Sequence, residues 1–348
     1  METLMVQQFN DLFASPEQLS RILSAMGLVD RDETPQLTPL TGGVSSGIMR
    51  VDVRKGSFCV KQALPQLKVE KLWEVPLERA FYEVEWLRTV AKIRPGSVPK
   101  VIGEDRETAS FVMEYFDKGY VNWKSDLLDG KIDVNAASQV GDILGLIHER
   151  TANDPEIARR FATDDNFYAI RLEPYLVEAA RIHKEVQPQL EALVRRTRDH
   201  RVALVHGDVS PKNVLLGPNG PVLLDAECAW YGDPAFDLAF VLNHLLIKAW
   251  RDPKNASALL ASFDALSRSY FGHITFESPL DLEWRAVTLL PALTLARIDG
   301  KSPVEYLKAT EQQQLREVAL ALIKKPLKTL DKLNSFWKNC LEHYYGTN

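Results

Sequence analysis

Asp208, Asn213 and Asp225 fall within LVHGDVSPKNVLLGPNGPVLLDAECAWYGDPAFDLA, residues 204–239. RVALVHGD reads as a short strand running into a loop. NVLLG and PVLLD read as a hairpin that turns at Pro218-Asn219-Gly220. That hairpin sets Asp208 ahead of its first strand, Asn213 at the entry and Asp225 at the exit, so the three side chains crowd one edge. Phosphoryl transfer uses such a set: a carboxylate to receive a hydroxyl proton, and hard oxygen ligands for the Mg²⁺ that accompanies nucleotide phosphates. A surface hairpin with turn-forming Asp and Asn has the same composition. The rest of the chain distinguishes the two.

Asp208 and Asn213 have the D-x-x-x-x-N spacing of a protein-kinase catalytic loop. Such chemistry also needs a lysine on a strand, braced by a helical glutamate, to position the α- and β-phosphates of ATP. SFCVKQAL supplies Lys61 among apolar neighbours, where an unpaired ammonium would be costly. On the helix that follows, Glu83 flanks the apolar stripe of Ala80, Val84, Leu87 and Ala91, whereas Glu78 and Glu85 point further toward solvent. Glu83 is therefore the expected partner. TGGVSSG, with Gly42, Gly43 and Ser45, would let backbone amides approach phosphate oxygens. FVMEYF has the character of an interlobe hinge whose backbone near Glu114–Phe116 meets adenine.

These residues need a scaffold. ASPEQLSRILSAMGL predicts a helix at about 16–26, with Ser15 as N-cap, Pro16 at the first position, Gln18 completing a capping box and Gly27 as the stop. Residues 37–64 predict two antiparallel strands around the glycine-rich turn and a third after Lys55-Gly56. Another strand pair spans 99–116. From about Asp117 long helices dominate, apart from the 204–239 block. The expected fold class is α/β (α+β): a β-rich nucleotide-binding lobe over 1–116 and a mainly helical lobe over 117–348 carrying the catalytic loop and substrate site. A net charge of −5 gives no basic footprint for nucleic acid. Three cysteines without metal-ligand spacing fit a reducing, cytoplasmic compartment, and no apolar run is long enough to span a membrane.

His206-Gly207-Asp208, Asn213, Asp225-Ala226-Glu227 and YGDPAFDLA together resemble the aminoglycoside phosphotransferase/choline kinase family, over roughly residues 35–300. The resemblance implies a two-lobed, protein-kinase-like fold, with ATP and Mg²⁺ as cofactors and a small-molecule hydroxyl as acceptor. It makes Asp208 the catalytic carboxylate, Asn213 and Asp225 metal ligands, and Asp237 a brace for the catalytic loop. Ser210 stands where protein kinases have a lysine, and no A-P-E segment offers a peptide platform. Residues 60–87, including Pro65, Trp73, Pro76 and Arg79, resemble methylthioribose kinases, while HGDVSPKNV follows the general family pattern. A small uncharged or zwitterionic alcohol, sugar-like or amino, is thus the expected acceptor, with methylthioribose as a candidate. Aminoglycosides come second, and a non-catalytic nucleotide-binding scaffold is the competing class. Glu227 is either a further metal ligand or a hairpin-end charge. Arg297, Asp299 and Lys301 either serve a helix terminus or orient substrate. His206 and His148 are expected to be packed structural residues.

Overall fold

Alternating apolar and polar residues over 36–63 and 101–114 produce strands rather than helices, and Gly56 allows a tight reversal between two of them. The computed structural model describes residues 11–30, 32–40, 45–66, 75–117 and 119–346. Gly42, Gly43 and Trp73 lie outside the described residues. Strands β1 (Gln36–Pro39), β2 (Ser46–Val53), β3 (Gly56–Ala63), β4 (Val101–Asp105) and β5 (Ser110–Glu114) form one antiparallel sheet in the order β1-β2-β3-β5-β4. Helix α1 (Pro16–Ala25) packs Leu19 and Leu23 against Val51, Val60 and Val112 on one face of this sheet. Pro16 opens α1 and Gly27 follows it with φ of +71°, but the Ser15 side chain makes no capping hydrogen bond. Instead, its carbonyl accepts from the N–H groups of Gln18 and Leu19. The other face meets helix α2 (Arg79–Ile93), which buries Ala80, Val84, Leu87 and Val90 together with Trp86 and Glu83.

Helices then take over: α3 (Trp123–Leu128), α4 (Val134–Thr151), α5 (Pro155–Arg160), α6 (Asp164–Phe167), α7 (Glu178–Ile182) and α8 (Gln187–Asp199). A π-helical stretch, Tyr168–Val177, links α6 to α7. The chemistry-bearing block interrupts them as β7 (Ala203–Val205), β8 (Val214–Gly217), β9 (Gly220–Leu223) and β10 (Trp230–Gly232). A two-residue strand, β6 (Val121–Asn122), pairs with β8, while β7 pairs with β10. The chain closes with α9 (Pro234–Arg251), α10 (Ala256–Phe271), α11 (Pro279–Asp299), α12 (Ala309–Lys324) and α13 (Leu330–Tyr345). Asp233 caps α9, accepting from the Ala235 N–H at 3.0 Å, and Pro234 occupies the first turn. Every residue of α9 from Pro234 to Trp250 is buried, so this helix is the axis of the lower lobe. Among the described residues no helix is long and apolar enough to cross a membrane.

One close crossing inside this lobe fixes the site from behind. A Cβ placed on Gly141 of α4 would lie 2.2 Å from the Leu266 carbonyl oxygen of α10. The contact lets His148 of α4 reach the Tyr270 hydroxyl of α10 at 2.8 Å. Gly141→Ala is therefore expected to destabilise by about 1–3 kcal/mol, as overpacking does. Intrinsic helix propensity would favour alanine by about 1 kcal/mol. Urea denaturation decides, and a neutral or stabilised variant would contradict the close crossing.

Candidate active site

The sheet and the helical lobe enclose a cleft of about 710 Å³, whose walls include Lys61, Glu83, Tyr115, Lys212, Asn213 and Asp225. A groove of similar size, about 730 Å³, runs between α10 and α13 and shares no residue with it. Convergent polar groups, not volume, single out the first.

Lys61 projects from β3 and is buried. Its ammonium lies 2.6 Å from Glu83 of α2 and also contacts the Asp225 carboxylate after β9. Burial disfavours the ammonium, yet Asp225 and Glu83 hold its pKa above the ordinary lysine value. Burial raises Glu83, against the pull of Lys61. Burial also opposes charge on Asp225, but Lys61 and then Lys212 hold that carboxyl well below the usual range. Asp225 has a φ of +66°, a left-handed conformation that Asp tolerates better than most residues, and the turn aims it back at the cleft. Glu83 is thus the helical glutamate that meets Lys61, the one flanking the apolar stripe.

The loop after β7 is pinned by one buried carboxylate. Asp237 of α9 accepts from the backbone N–H groups of His206 at 2.7 Å and Gly207 at 2.8 Å, and lies 3.3 Å from His148 Nε2. Gly207 has φ of +79°, and a Cβ there would sit 2.8 Å from Cys228 Cβ and carbonyl oxygen. His206 Nδ1 accepts from the Asp208 N–H at 3.1 Å, which leaves Nε2–H to donate to the Leu224 carbonyl at 3.0 Å. Burial lowers its pKa, and the ring packs edge-on against Trp86 at 4.8 Å. Both His206 and His148 are packed, hydrogen-bonded core histidines.

Asp208 Oδ2 accepts from Asn213 Nδ2 at 2.8 Å and forms ion pairs with Arg171 Nη2 at 2.8 Å and Lys212 Nζ at 3.2 Å. Among the described residues Oδ1 accepts no hydrogen bond. Asn213 Nδ2 also donates to the Asp208 carbonyl at 3.0 Å, so the amide oxygen is the end left without a hydrogen bond among the described residues. Sequence reasoning missed Arg171 and Lys212. Lys212 was within reach of it: a lysine at i+4 from Asp208 restores the cation that Ser210 lacks. Arg171 arrives from the π-helical stretch, and no local spacing ties that stretch to the loop.

Other candidates are engaged differently. Glu227 is buried and its Oε2 accepts from Arg79 Nε at 3.1 Å. The Arg79 guanidinium also donates to the carbonyls of Ser45 at 2.5 Å and Leu64 at 2.7 Å. Glu227 and Ser45 thus meet through Arg79, which ties the strand ends of the upper lobe to the loop after Asp225. Gly47 is filled from behind, since a Cβ there would lie 2.7 Å from the Phe13 ring. Glu114, Tyr115 and Phe116 line the cleft. The Glu114 N–H donates to the Lys100 carbonyl at 2.9 Å. Asp299 pairs with Arg316 and His183, and Lys301 pairs with Glu173 at 2.8 Å. Only Arg297 of that trio turns toward the Tyr175 hydroxyl, at 3.2 Å. The acidic runs near 126–133 and 154–165 are spent locally: Asp126 and Asp129 face Lys131, Asp154 caps α5, and Asp164 pairs with Arg201.

The sequence matches the phosphotransferase enzyme family (APH) over residues 36–277. The chain belongs to that family. It is 28% identical over 232 residues to a methylthioribose kinase of Yersinia pseudotuberculosis, a match covering 58% of this chain and 54% of that one. The chain thus spans about half the length of the curated relatives it matches. Two solved structures share the phosphotransferase fold. A choline/ethanolamine kinase family protein from Mesorhizobium loti gives a TM-score of 0.51 at 16% identity, over 93% of this chain and 99% of that one. An amicoumacin kinase, solved with AMP-PNP and Ca²⁺, gives 0.55 at 15% identity, over 89% of this chain and 94% of that one. The two-lobed architecture expected from the sequence is the fold of these neighbours.

Removing one member of a buried ion pair leaves an uncompensated charge. Lys61→Met is accordingly expected to cost about 3–5 kcal/mol in urea denaturation, and adding Glu83→Gln should recover part of the loss. A single variant as stable as the parent would show that the triad is not electrostatically coupled.

Proposed function

We propose that this phosphotransferase moves the γ-phosphate of ATP to a hydroxyl of a small sugar-like or amino alcohol, with methylthioribose as one candidate. In this reading residues 1–116 hold the nucleotide and 117–348 supply the catalytic loop and acceptor site. One observation carries it: Asp208 has one oxygen held by Asn213, Arg171 and Lys212 and the other without a hydrogen bond among the described residues, directly behind Asn213 and Lys212, which line the cleft together with Lys61 and Asp225. A scaffold without catalysis has no use for that arrangement. Family membership and the methylthioribose kinase relatives support a small-molecule acceptor. The neighbour solved with AMP-PNP supports a nucleotide donor.

Mg²⁺ fits the donor set. The Asn213 amide oxygen and the Asp225 carboxylate are hard ligands, and the Asn213 amide nitrogen is already committed to Asp208. Bound there, the ion would neutralise charge on the nucleotide phosphates. Glu227, held by Arg79, fixes the backbone two residues beyond Asp225. Lys61 places the α- and β-phosphates, and Glu83 keeps its ammonium from following Asp225. The backbone around Glu114–Phe116, together with Ser45 and its neighbours Gly42 and Gly43, would cover adenine and phosphates.

At the acceptor, Asp208 Oδ1 accepts the hydroxyl hydrogen and orients the oxygen for attack. As the new P–O bond forms and the bond to the ADP leaving oxygen breaks, the proton passes to Oδ1 and later to solvent. Arg171 and Lys212 keep the carboxylate from rotating. Lys212, with a side chain 40% exposed, adds positive charge where the phosphoryl group passes. A protein acceptor is disfavoured because β10 leads at once into α9, leaving no segment to dock a peptide.

Asp208→Ala should lower ADP release with an identified acceptor by about 10²–10⁴-fold, the usual contribution of a positioned base, while calorimetry finds Mg-ATP affinity near that of the parent. Asp225→Ala should instead remove the Mg²⁺ dependence of nucleotide binding. Turnover near the parental rate in the first variant, or unchanged Mg²⁺ dependence in the second, would overturn these roles.

A further inference from the structure

Arg171, which grips Asp208, leads to a second group of charges deeper in the lower lobe. Its guanidinium lies over the Tyr175 ring at 5.7 Å and the Phe240 ring at 5.9 Å. Arg297 approaches the same Tyr175 ring at 5.8 Å, and His244 packs edge-on against Phe240 at 5.3 Å. Beyond them, three cations converge on one aromatic ring, Tyr306: Lys248 at 5.1 Å, Lys124 at 5.8 Å and Arg251 at 6.0 Å. Lys124 and Lys212 line the nucleotide cleft, so the group begins at the wall of the same cavity that holds Asp225.

The charges in this group do not balance. Lys248 is 2% exposed and makes no ion pair among the described residues; its one side-chain hydrogen bond runs to the Tyr306 hydroxyl at a long 3.4 Å. His244 is 6% exposed and its ring nitrogens have no hydrogen-bond partner among the described residues. Arg297 donates through Nη1 to the Tyr175 hydroxyl and to Ser302 but has no carboxylate partner among the described residues, and its Nε–H is buried without an acceptor. The nearby carboxylate, Glu305, is two-thirds exposed and already bound to Lys124. Buried cations without a counter-charge are costly and rarely kept without a use. A pocket for a polycation or a quaternary amine would show the opposite sign.

We infer that the acceptor carries an oxyanion, a carboxylate or a phosphate, beside the hydroxyl it presents to Asp208, and that Lys248, Arg297 and His244 bind it. The inference rests on the kinase reading but replaces its neutral sugar-like and amino alcohols, methylthioribose included, with acidic alcohols such as hydroxy acids or sugar phosphates. It places polycationic aminoglycosides and simple amino alcohols outside the site. Burial and the neighbouring Lys124 and Arg297 pull the Lys248 pKa down to about 7, with Arg251 acting the same way and Glu305 opposing them. Burial likewise lowers His244, helped by Lys248 and Arg297. An arriving anion would reverse these shifts, so binding should draw protons from solvent near pH 8.

The test is calorimetry on the full chain, saturated with Mg-ADP, using matched probes: D-ribose against D-ribose 5-phosphate, D-sorbitol against D-gluconate, and kanamycin. Titrations in two buffers of different ionisation enthalpy report proton uptake. At least one anionic probe should bind with uptake at pH 8, and its neutral partner and kanamycin should not. Lys248→Met should raise the melting temperature of the free protein by about 2 °C or more, because it removes a buried amine that has no ion-pair partner. The same variant should weaken the anionic probe about 10- to 100-fold, the loss of a charge-assisted contact, without altering Mg-ADP affinity. Arg297→Gln should weaken the probe similarly, with no gain in melting temperature. Anionic probes that bind no better than neutral ones, or equally to Lys248→Met, overturn the inference while nucleotide binding still stands. Failure of the parent protein to bind Mg-ADP or Mg-ATP would overturn the kinase reading itself.

Discussion

An ammonium group taken out of water must find its counter-charge within a few ångströms, and Lys61 finds two. One comes from α2 in the same lobe and the other from the loop after β9 in the opposite lobe. Since a half-satisfied buried pair is worse than none, β3, α2 and the Asp225 loop hold their relative positions or all three charges lose. Trp86 of α2 packing on His206, and Arg79 of α2 gripping Glu227, strengthen the same junction. The cleft between the lobes is therefore set by electrostatics, with packing filling in behind it.

A second device works at the catalytic loop. Asp237 spends both oxygens on backbone amides of His206 and Gly207, and His148 and Tyr270 back it from α4 and α10. The loop thus takes its shape from three helices of the lower lobe instead of from its own residues. Asp208 then needs only its side chain fixed, and Arg171, Lys212 and Asn213 do that from one side. An oriented carboxylate with one free oxygen results without strain at Asp208.

Much of this was legible before any coordinates. Strand alternation gave β2, β3 and β5, and the stripe on α2 distinguished Glu83 from Glu78 and Glu85, because helical geometry fixes which face a residue occupies. Asp208, Asn213 and Asp225 were visible since a hairpin brings its two ends together within a few residues. What was not legible depends on long-range approach. Arg171 lies in a π-helical stretch with no periodic signal, Arg79 joins Glu227 across the whole site, and Lys248 and His244 sit on an otherwise apolar helix with no local spacing that ties them to the site. The Ser15 capping box failed for a local reason, because the backbone carbonyl of Ser15 took the role its hydroxyl was expected to play.

The central claim is that Asp208 keeps one oxygen for an incoming hydroxyl while Asn213 and Asp225 face the metal. A crystal structure with Mg²⁺ and a non-hydrolysable ATP analogue tests it most directly. The account predicts the ion between the Asn213 amide oxygen and the Asp225 carboxylate, the analogue's α- and β-phosphates at Lys61, and Asp208 Oδ1 still unbonded by protein and open toward the terminal phosphate. An ion bound elsewhere, or an Asp208 whose two oxygens are both taken up by protein donors, would contradict it.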